Sequence, residues 1–258
     1  MRWIRFTAAG LASWGILEGG RVIEVKGDPF NKFERTSRMH ALAGVKIEVP
    51  LIPRTFYCAG LNYVRHLKEA ADKRGEVPNI PTRAEIGYRA QNALIAHNED
   101  VVIPRDATEQ VHYEGELVVV IGRSARHVSP EEALDCVFGV TCGNDVSDRN
   151  WQRNTDRQWW RAKGCDTFGP LGPWIVTGLD YGDLALQTRL NGEVAQEQRT
   201  SDLLFDVPTV ISFVSRYVTL LPGDLIYTGT PGNTKRMKPG DVVEVEIEGI
   251  GVLRNPVE

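Results

Sequence analysis

The chain has 258 residues, of which 42% are hydrophobic and 25% are charged, as expected of a globular protein. The formal net charge is −4 and no basic block is present, so we expect no nucleic-acid partner. No apolar run approaches the ~20 residues that span a bilayer, and the N-terminus MRWIRFTAAG is too polar for a signal peptide. Four cysteines without C-x-x-C spacing indicate reduced thiols, so we expect a cytoplasmic protein without a membrane partner.

The first fifty residues read as short strands separated by glycine-bearing turns. We predict strands over Arg2–Thr7, Ser13–Glu18 and Arg21–Val25, followed by a polar stretch from Gly27 to Arg38. Prolines then interrupt the segment Val49–Pro53, since proline continues neither a ladder nor a helix interior. The sequence therefore predicts a small β-rich N-terminal domain over residues 1–52 and a second domain over residues 53–258.

The second domain begins with a strand over Thr55–Ala59 and a polar helix from Val64 to Arg74 that stops at Gly75. Residues 76–99 contain two prolines and a glycine and read as an irregular segment. Unstructured stretches of this length are often binding loops.

Further along the chain, turn and capping signals dominate. Ser129-Pro-Glu-Glu132 has the pattern of a capping box and predicts a helix to Phe138, and Pro208 opens an apolar helix to about Leu220. Asn191-Gly192 predicts a hairpin, and two Pro-Gly-Asp turns each precede a strand. Strands outnumber helices without alternating with them, which favours an α+β fold that is predominantly β and antiparallel.

The segment Gln110–Gly122, QVHYEGELVVVIG, places two carboxylates beside a buried strand. The apolar run Leu117–Ile121 predicts the strand, and its extension towards the N-terminus would put Glu114 and Glu116 on one face. Buried like charges repel, and a hard divalent cation such as Mg²⁺, Mn²⁺ or Ca²⁺ would compensate them. Asp145 is the candidate third ligand. Alternating acids on an exposed face remain the alternative interpretation.

Three other patterns are consistent with a reaction site. His66 and Glu69 lie one helical turn apart, so the carboxylate can orient the imidazole as a base for water, although a solvated helix face has the same pattern. Lys163 lies in a segment rich in glycine and proline, which predicts an irregular loop where the lysine would stabilise negative charge or simply be exposed. The turn Tyr227–Gly232 would hold an anion through backbone N–H groups and Thr230, or be a plain tight turn.

Taken in chain order, these segments resemble the fumarylacetoacetate hydrolase family. The resemblance covers about Arg54 to the C-terminus, and Met1–Ile52 looks like the small N-terminal extension of bacterial-type members. The matching segments are FYCAGLNYVRH (Phe56–His66), YEGELVVVIG (Tyr113–Gly122), GNDVSDRNWQ (Gly143–Gln152), KGCDTFGPLGPWIVTG (Lys163–Gly178), LIYTGTPG (Leu225–Gly232) and KPGDVVEVEIEGIGVLRNPV (Lys238–Val257).

The resemblance implies a β-roll, a homodimer and a divalent-metal site. By resemblance, Mg²⁺ or Mn²⁺, with Ca²⁺ as a substitute in crystals, is held by three carboxylates, while a His–Glu pair activates water and a lysine neutralises an oxyanion. The residues matched in this chain are the ligands Glu114, Glu116 and Asp145, the catalytic His66, Glu69 and Lys163, and the substrate-binding Arg149, Gln152, Gly229 and Thr230.

The resemblance implies a small-molecule 2-oxo acid substrate and leaves the reaction open. We expect a metal-dependent hydrolase that cleaves a C–C bond of an acylpyruvate-type substrate in catabolism. The alternatives are a decarboxylase or isomerase of 2-oxo or 2-hydroxy-dienoic dicarboxylates, and a non-catalytic metal-binding paralogue. Many members carry Lys-Pro-Pro-Ser where this chain reads Arg89-Ala-Gln-Asn92, and Arg89 is expected to bind a distal carboxylate of the substrate.

Overall fold

Strands dominate the computed structural model of the chain, which describes residues 1–75, 77–232 and 234–258. The side chains of His66, Ala70, Lys73 and Arg74 also lie outside the described part. The strands are β1 (Arg2–Ala8), β2 (Leu11–Glu18), β3 (Arg21–Gly27), β4 (Phe33–Ala41), β5 (Lys46–Ile47), β6 (Phe56–Gly60), β7 (Glu85–Arg89), β8 (Leu94–Ile95), β9 (Val111–His112), β10 (Gly115–Ile121), β11 (Val137–Asn144), β12 (Ser147–Asp148), β13 (Gly169–Val176), β14 (Ala185–Leu190), β15 (Glu193–Arg199), β16 (Leu225–Tyr227), β17 (Val242–Ile247) and β18 (Gly251–Pro256). The helices are α1 (Val64–Arg74), α2 (Pro130–Ala133), α3 (Trp159–Gly164) and α4 (Val207–Ser215). This confirms the predicted α+β, predominantly β fold.

One large sheet organises the chain. Its strands follow the order β4-β3-β2-β1-β13-β11-β10-β16-β6-β7, with β5 paired to β1 and β8 paired to β13. The pairs β6–β16 and β8–β13 are parallel, and the other pairs of this sheet are antiparallel. Every residue of β10 is buried, as its continuous apolar run predicted.

A second sheet, in the order β15-β14-β17-β18, covers one face of the large sheet. Its β14–β15 hairpin turns at Asn191 and Gly192, whose φ angles of 55° and 82° confirm the predicted turn. Apolar side chains of α4, such as Ile211, join the core between the sheets. This core fixes the position of β10, at the start of which two acidic residues lie.

The N-terminal strands continue the large sheet, because Trp3 of β1 pairs with Ile175 of β13. The three predicted strands are present, but β4 lies where only a polar stretch was expected. Most residues of β4 are exposed, so they carry no apolar alternation. Ion pairs attach it to β2 and β3: Arg35 Nη2 lies 2.7 Å from Glu18 Oε1 of β2, and Arg38 pairs with Glu24 of β3.

Several helix and loop boundaries differ from the predictions. Helix α1 ends at Arg74 as predicted, with Gly75 in the left-handed conformation at φ 67°. The capping box at Ser129 is confirmed, but α2 stops at Ala133 and a 3-10 turn leads directly into β11. The segment expected to be irregular before Glu99 contains β7 and β8.

Candidate metal and reaction site

Two backbone segments bring the predicted carboxylates together. The expected continuous strand is interrupted, because β9 ends at His112 and β10 begins at Gly115, so Glu114 lies in the break. Gly115 pairs with Asn144 of β11, and the Asp145 N–H donates to the Glu114 carbonyl at 2.8 Å. The Asn144 side chain also accepts from the Glu114 N–H at 2.8 Å. These two hydrogen bonds hold Asp145 beside Glu114.

The three predicted ligands form one buried cluster. Glu114, Glu116 and Asp145 each offer an oxygen atom, and these oxygens all lie within 4.8 Å of one another. The residues are 5%, 1% and 2% exposed, respectively. Carboxylates that are this close together and this well shielded from solvent require positive charge nearby or must bind protons.

Lys163 supplies part of that charge from the last turn of α3. Its Nζ donates to Glu114 Oε2 at 2.7 Å, to Asp145 Oδ2 at 2.6 Å and to Ser147 Oγ at 2.7 Å. Burial lowers the pKa of this ammonium, and the nearby Glu114 carboxylate acts in the opposite direction. The prediction that Lys163 lies in an irregular segment was wrong: the glycines and prolines follow it, and the preceding Trp-Trp-Arg-Ala forms a helix.

Two buried arginines supply further positive charge to Glu114 and Asp145. Arg149 Nη1 lies 2.5 Å from Glu114 Oε1 and donates to Gln152 Oε1 at 3.1 Å. Arg89 pairs with Asp145 Oδ1 and donates to the carbonyl oxygens of Lys163 at 2.5 Å and Phe168 at 3.1 Å. The guanidinium of Arg89 therefore contacts Asp145 and two backbone carbonyl groups, whereas the sequence predicts that it binds a substrate carboxylate.

Glu116 differs from the other two carboxylates. Its Oε2 accepts from the Gly229 N–H at 2.7 Å, and among the described side chains no lysine or arginine pairs with it. Burial, followed by the charge of Glu114, raises the pKa of Glu116 to about 8. An all-oxygen donor set with one cation-deficient carboxylate fits a hard divalent ion.

The turn after β16 is directed into this cluster. Gly229 has φ +106°, and a Cβ there would lie 2.8 Å from the Asn62 side chain, so glycine is required. The Thr230 hydroxyl donates to the Gly115 carbonyl at 3.0 Å and accepts from Gln196 Nε2 at 2.9 Å. The Gly229 N–H is thus directed at Glu116, although we expected this turn to contact a substrate anion.

The predicted His–Glu pair is described only in part. Arg65 Nε donates to Glu69 Oε1 at 2.7 Å, one helical turn away. The side chain of His66 lies outside the described residues, so the proposed contact between His66 and Glu69 stays a prediction.

A cavity of about 220 Å³ opens onto the cluster. The predicted residues that line it are the three acidic residues, Lys163, Arg149, Gln152 and Thr230. The lining residues that were not predicted are Cys58, Ala59, Gly60, Leu61, Glu85, Arg153 and Trp159. Arg89 is not among the lining residues. Ser147 and Gln196 were not predicted, although they contact Lys163 and Thr230, respectively. The position of Ser147 two residues after Asp145 could have indicated it, whereas no sequence pattern marks Gln196.

Comparison with known proteins identifies the family. A family model described as "Fumarylacetoacetate (FAA) hydrolase C-terminal" matches residues 55–258, and one described as "Rv2993c-like, N-terminal" matches residues 1–50. The chain belongs to the fumarylacetoacetate hydrolase family. Protein Rv2993c of Mycobacterium tuberculosis is 43% identical over 237 residues, covering 91% of this chain and 86% of that protein.

Solved structures of the fumarylacetoacetate hydrolase family have the same fold. A 5-carboxymethyl-2-hydroxymuconate delta-isomerase from Mycobacterium smegmatis matches with a TM-score of 0.91 and 40% identity, covering 100% of this chain and 99% of that one. A maleylpyruvate hydrolase from Sphingobium sp. SYK-6, in complex with manganese(II) ion and pyruvate, matches with a TM-score of 0.81 and 26% identity, covering 100% and 98%. Named relatives thus include hydrolases, isomerases and an isomerase/decarboxylase. Among the described residues, no helix has the length and apolar character needed to cross a membrane.

Proposed function

We propose that this chain is a divalent-metal-dependent enzyme that acts on a 2-oxo acid, with cleavage of an acylpyruvate-type C–C bond as its leading reaction. The observation that carries the proposal is the cluster of three buried carboxylates in which Glu116 has no basic partner among the described side chains. A buried carboxylate without a counter-charge destabilises the fold, and a bound cation would remove this cost.

Glu114, Glu116 and Asp145 would hold Mg²⁺ or Mn²⁺. When bound, the ion would supply Lewis-acid polarisation of the carboxylate and keto oxygens of a 2-oxo acid. The manganese and pyruvate complex of the maleylpyruvate hydrolase supports this choice of ion and ligand.

The remaining residues act on charge and position. The Lys163 ammonium lies 2.6–2.7 Å from two of the carboxylates, so it would stabilise negative charge that develops on a substrate oxygen beside them. Arg149 and Gln152 are bonded to each other in the cavity wall and would orient a carboxylate or carbonyl of the substrate. Hydrolysis also requires a base within reach of water. By resemblance we assign this role to His66, with Glu69 as its orienting partner.

A second candidate is isomerisation or decarboxylation of an unsaturated or 2-oxo dicarboxylate. The isomerase from Mycobacterium smegmatis, which matches over the whole chain, favours this reaction class. Both classes build negative charge on the same substrate oxygens, and only hydrolysis requires an activated water.

The test is an ultraviolet assay of three substrates with Mn²⁺: an acylpyruvate, oxaloacetate and a 2-hydroxy-dienedioate. We expect the acylpyruvate to be cleaved, the activity to be lost in EDTA, and Mn²⁺ or Mg²⁺ to restore it. Glu116→Gln should be inactive and fail to bind Mn²⁺ by calorimetry. Turnover of the dienedioate alone would select the second candidate, and Mn²⁺-independent activity would overturn the metal assignment.

We also propose that the catalytic domain spans residues 53–258, behind an N-terminal domain of residues 1–52, and that the chain forms a homodimer. The family matches at 1–50 and 55–258 support this division. Light scattering that gives the 28.8 kDa mass of one chain would exclude the dimer.

A further inference from the structure

Trp159 occupies a slot between two glycines on the edge of the large sheet. Cys58 of β6 pairs with Gly87 of β7, and Gly60 pairs with Glu85, so these four residues share one face. A Cβ at Gly87 would lie 2.2 Å from Trp159 Cε3, and a Cβ at Gly60 would lie 2.7 Å from Cη2. Neither glycine has a positive φ, so space for the indole, rather than backbone conformation, requires them.

The indole is also fixed relative to the charged cluster. Trp159 opens α3 and Lys163 follows four residues later, so the two side chains lie on the same helix face. The Lys163 Nζ lies 5.7 Å from the indole ring centroid and 2.6 Å from Asp145 Oδ2. The ring therefore lies near the ammonium group that contacts the carboxylates, and it lines the cavity.

We infer that Trp159 is a specificity-determining residue whose flat wall takes the arm of the substrate that extends away from the 2-oxo acid group. This inference rests on the proposed function and adds the chemical class of the arm. A planar, conjugated or aryl arm would stack on the indole, whereas a polar or tetrahedral arm would gain less. Gly60 and Gly87 act through the indole and set its depth in the cavity.

The test compares a ligand without an arm and a ligand with one on the Mn²⁺-loaded protein. Oxalate carries only the chelating group, and benzoylpyruvate adds a planar aryl arm. We expect Trp159→Leu to leave the Kd of oxalate within about twofold while raising the KM of benzoylpyruvate roughly three- to tenfold. The KM of acetylpyruvate, whose arm is a methyl group, should change less.

Gly87→Ala tests the same inference by moving the indole of Trp159 rather than by replacing it. The added methyl group must displace the ring, so the preference between benzoylpyruvate and acetylpyruvate should shift while oxalate still binds. Gly44→Ala is the matched control, because a Cβ there meets nothing within 4 Å and Gly44 lies outside the cavity.

The outcomes separate the two levels of the proposal. A wild-type protein that binds neither oxalate nor an acylpyruvate with Mn²⁺ would overturn the proposed function and this inference with it. If the wild type binds oxalate, two results would overturn the role of Trp159 alone. One is that Trp159→Leu weakens the binding of all three ligands equally, and the other is that neither Trp159→Leu nor Gly87→Ala changes the preference for benzoylpyruvate over acetylpyruvate.

Discussion

Glu116→Gln in the metal-free protein is the sharpest test of the electrostatics of the cluster. The substitution keeps the size of the side chain, and its amide oxygen can still accept from the Gly229 N–H, which lies 2.7 Å from Glu116 Oε2. It removes the one carboxylate that has no basic partner among the described side chains. Metal-free Glu116→Gln should therefore be more stable than the wild type at pH 8, and on the proposed function it should not bind the ion.

The pKa values set the magnitude and the sign. The pKa of Glu116 is about 8 in the folded protein, because of burial and the charge of Glu114, against a reference value of 4.5. Between these values the folded state holds a proton that the unfolded chain has released, so stability falls as the pH rises from 4.5 to 8. At about 1.36 kcal/mol per pKa unit, the loss from this group is at most about 5 kcal/mol. The glutamine variant lacks this loss.

Urea denaturation in EDTA at pH 5, 6.5 and 8 measures this difference. The free energy of unfolding of Glu116→Gln minus that of the wild type should increase with pH, by a few kcal/mol. Glu193→Gln, at the exposed start of β15, is the matched control and should show no such trend. Parallel pH profiles for the wild type and Glu116→Gln would refute the raised pKa. Added Mn²⁺ should stabilise the wild type and leave Glu116→Gln unchanged.

Three further variants probe the groups around the cluster. Lys163→Met removes an ammonium that contacts two of the proposed ligands, so the metal-free protein should lose about 3–5 kcal/mol while Mn²⁺ affinity by calorimetry increases. Arg89→Lys cannot reproduce contacts to Asp145 and two carbonyl groups at once, so denaturation should show a loss of about 2–3 kcal/mol. Thr234→Val removes the hydroxyl that accepts from Arg149 Nη2 at 3.0 Å, so steady-state kinetics should show a KM raised about fivefold with little change in kcat. If the unfolding free energy, the Mn²⁺ affinity and the KM of these variants equal those of the wild type, the three residues do not support the carboxylate cluster.

Elements with short-range determinants were predictable from the sequence. The stop of α1 at Gly75 and the Asn191-Gly192 hairpin depend on backbone conformations that few residues adopt, so the residue type reveals the turn. The exposed edge strand β4 was missed because pairing and surface ion pairs hold it, and these leave no apolar period. The early end of α2 was missed because Val137 already belongs to β11, whose pairing with β10 and β13 depends on contacts that are distant in sequence.

The site was predictable where spacing carries its chemistry. The Glu-x-Glu pattern and the later aspartate pointed to a carboxylate cluster, and the structure brings these three side chains together. The compensating Arg89 could not be placed by the same means, because its guanidinium reaches Asp145 only through the pairing of β7 with β6. Gln196, which bonds to Thr230 from the second sheet, likewise depends on how the two sheets pack.

The charge balance of the cluster indicates what charge a ligand of the proposed divalent ion should carry. When all three carboxylates are ionised, their charge equals that of the three buried basic groups, and the six residues are Glu114, Glu116, Asp145, Arg89, Arg149 and Lys163. A divalent ion would then leave two positive charges in a buried cavity, where uncompensated charge is costly. A ligand with two negative charges, such as oxalate, would neutralise them, whereas a monocarboxylate would leave one. Because binding free energies are reciprocally linked, the dianion and the ion should each tighten the binding of the other. On the proposed function, these charges therefore favour the binding of a metal and a dianionic substrate together.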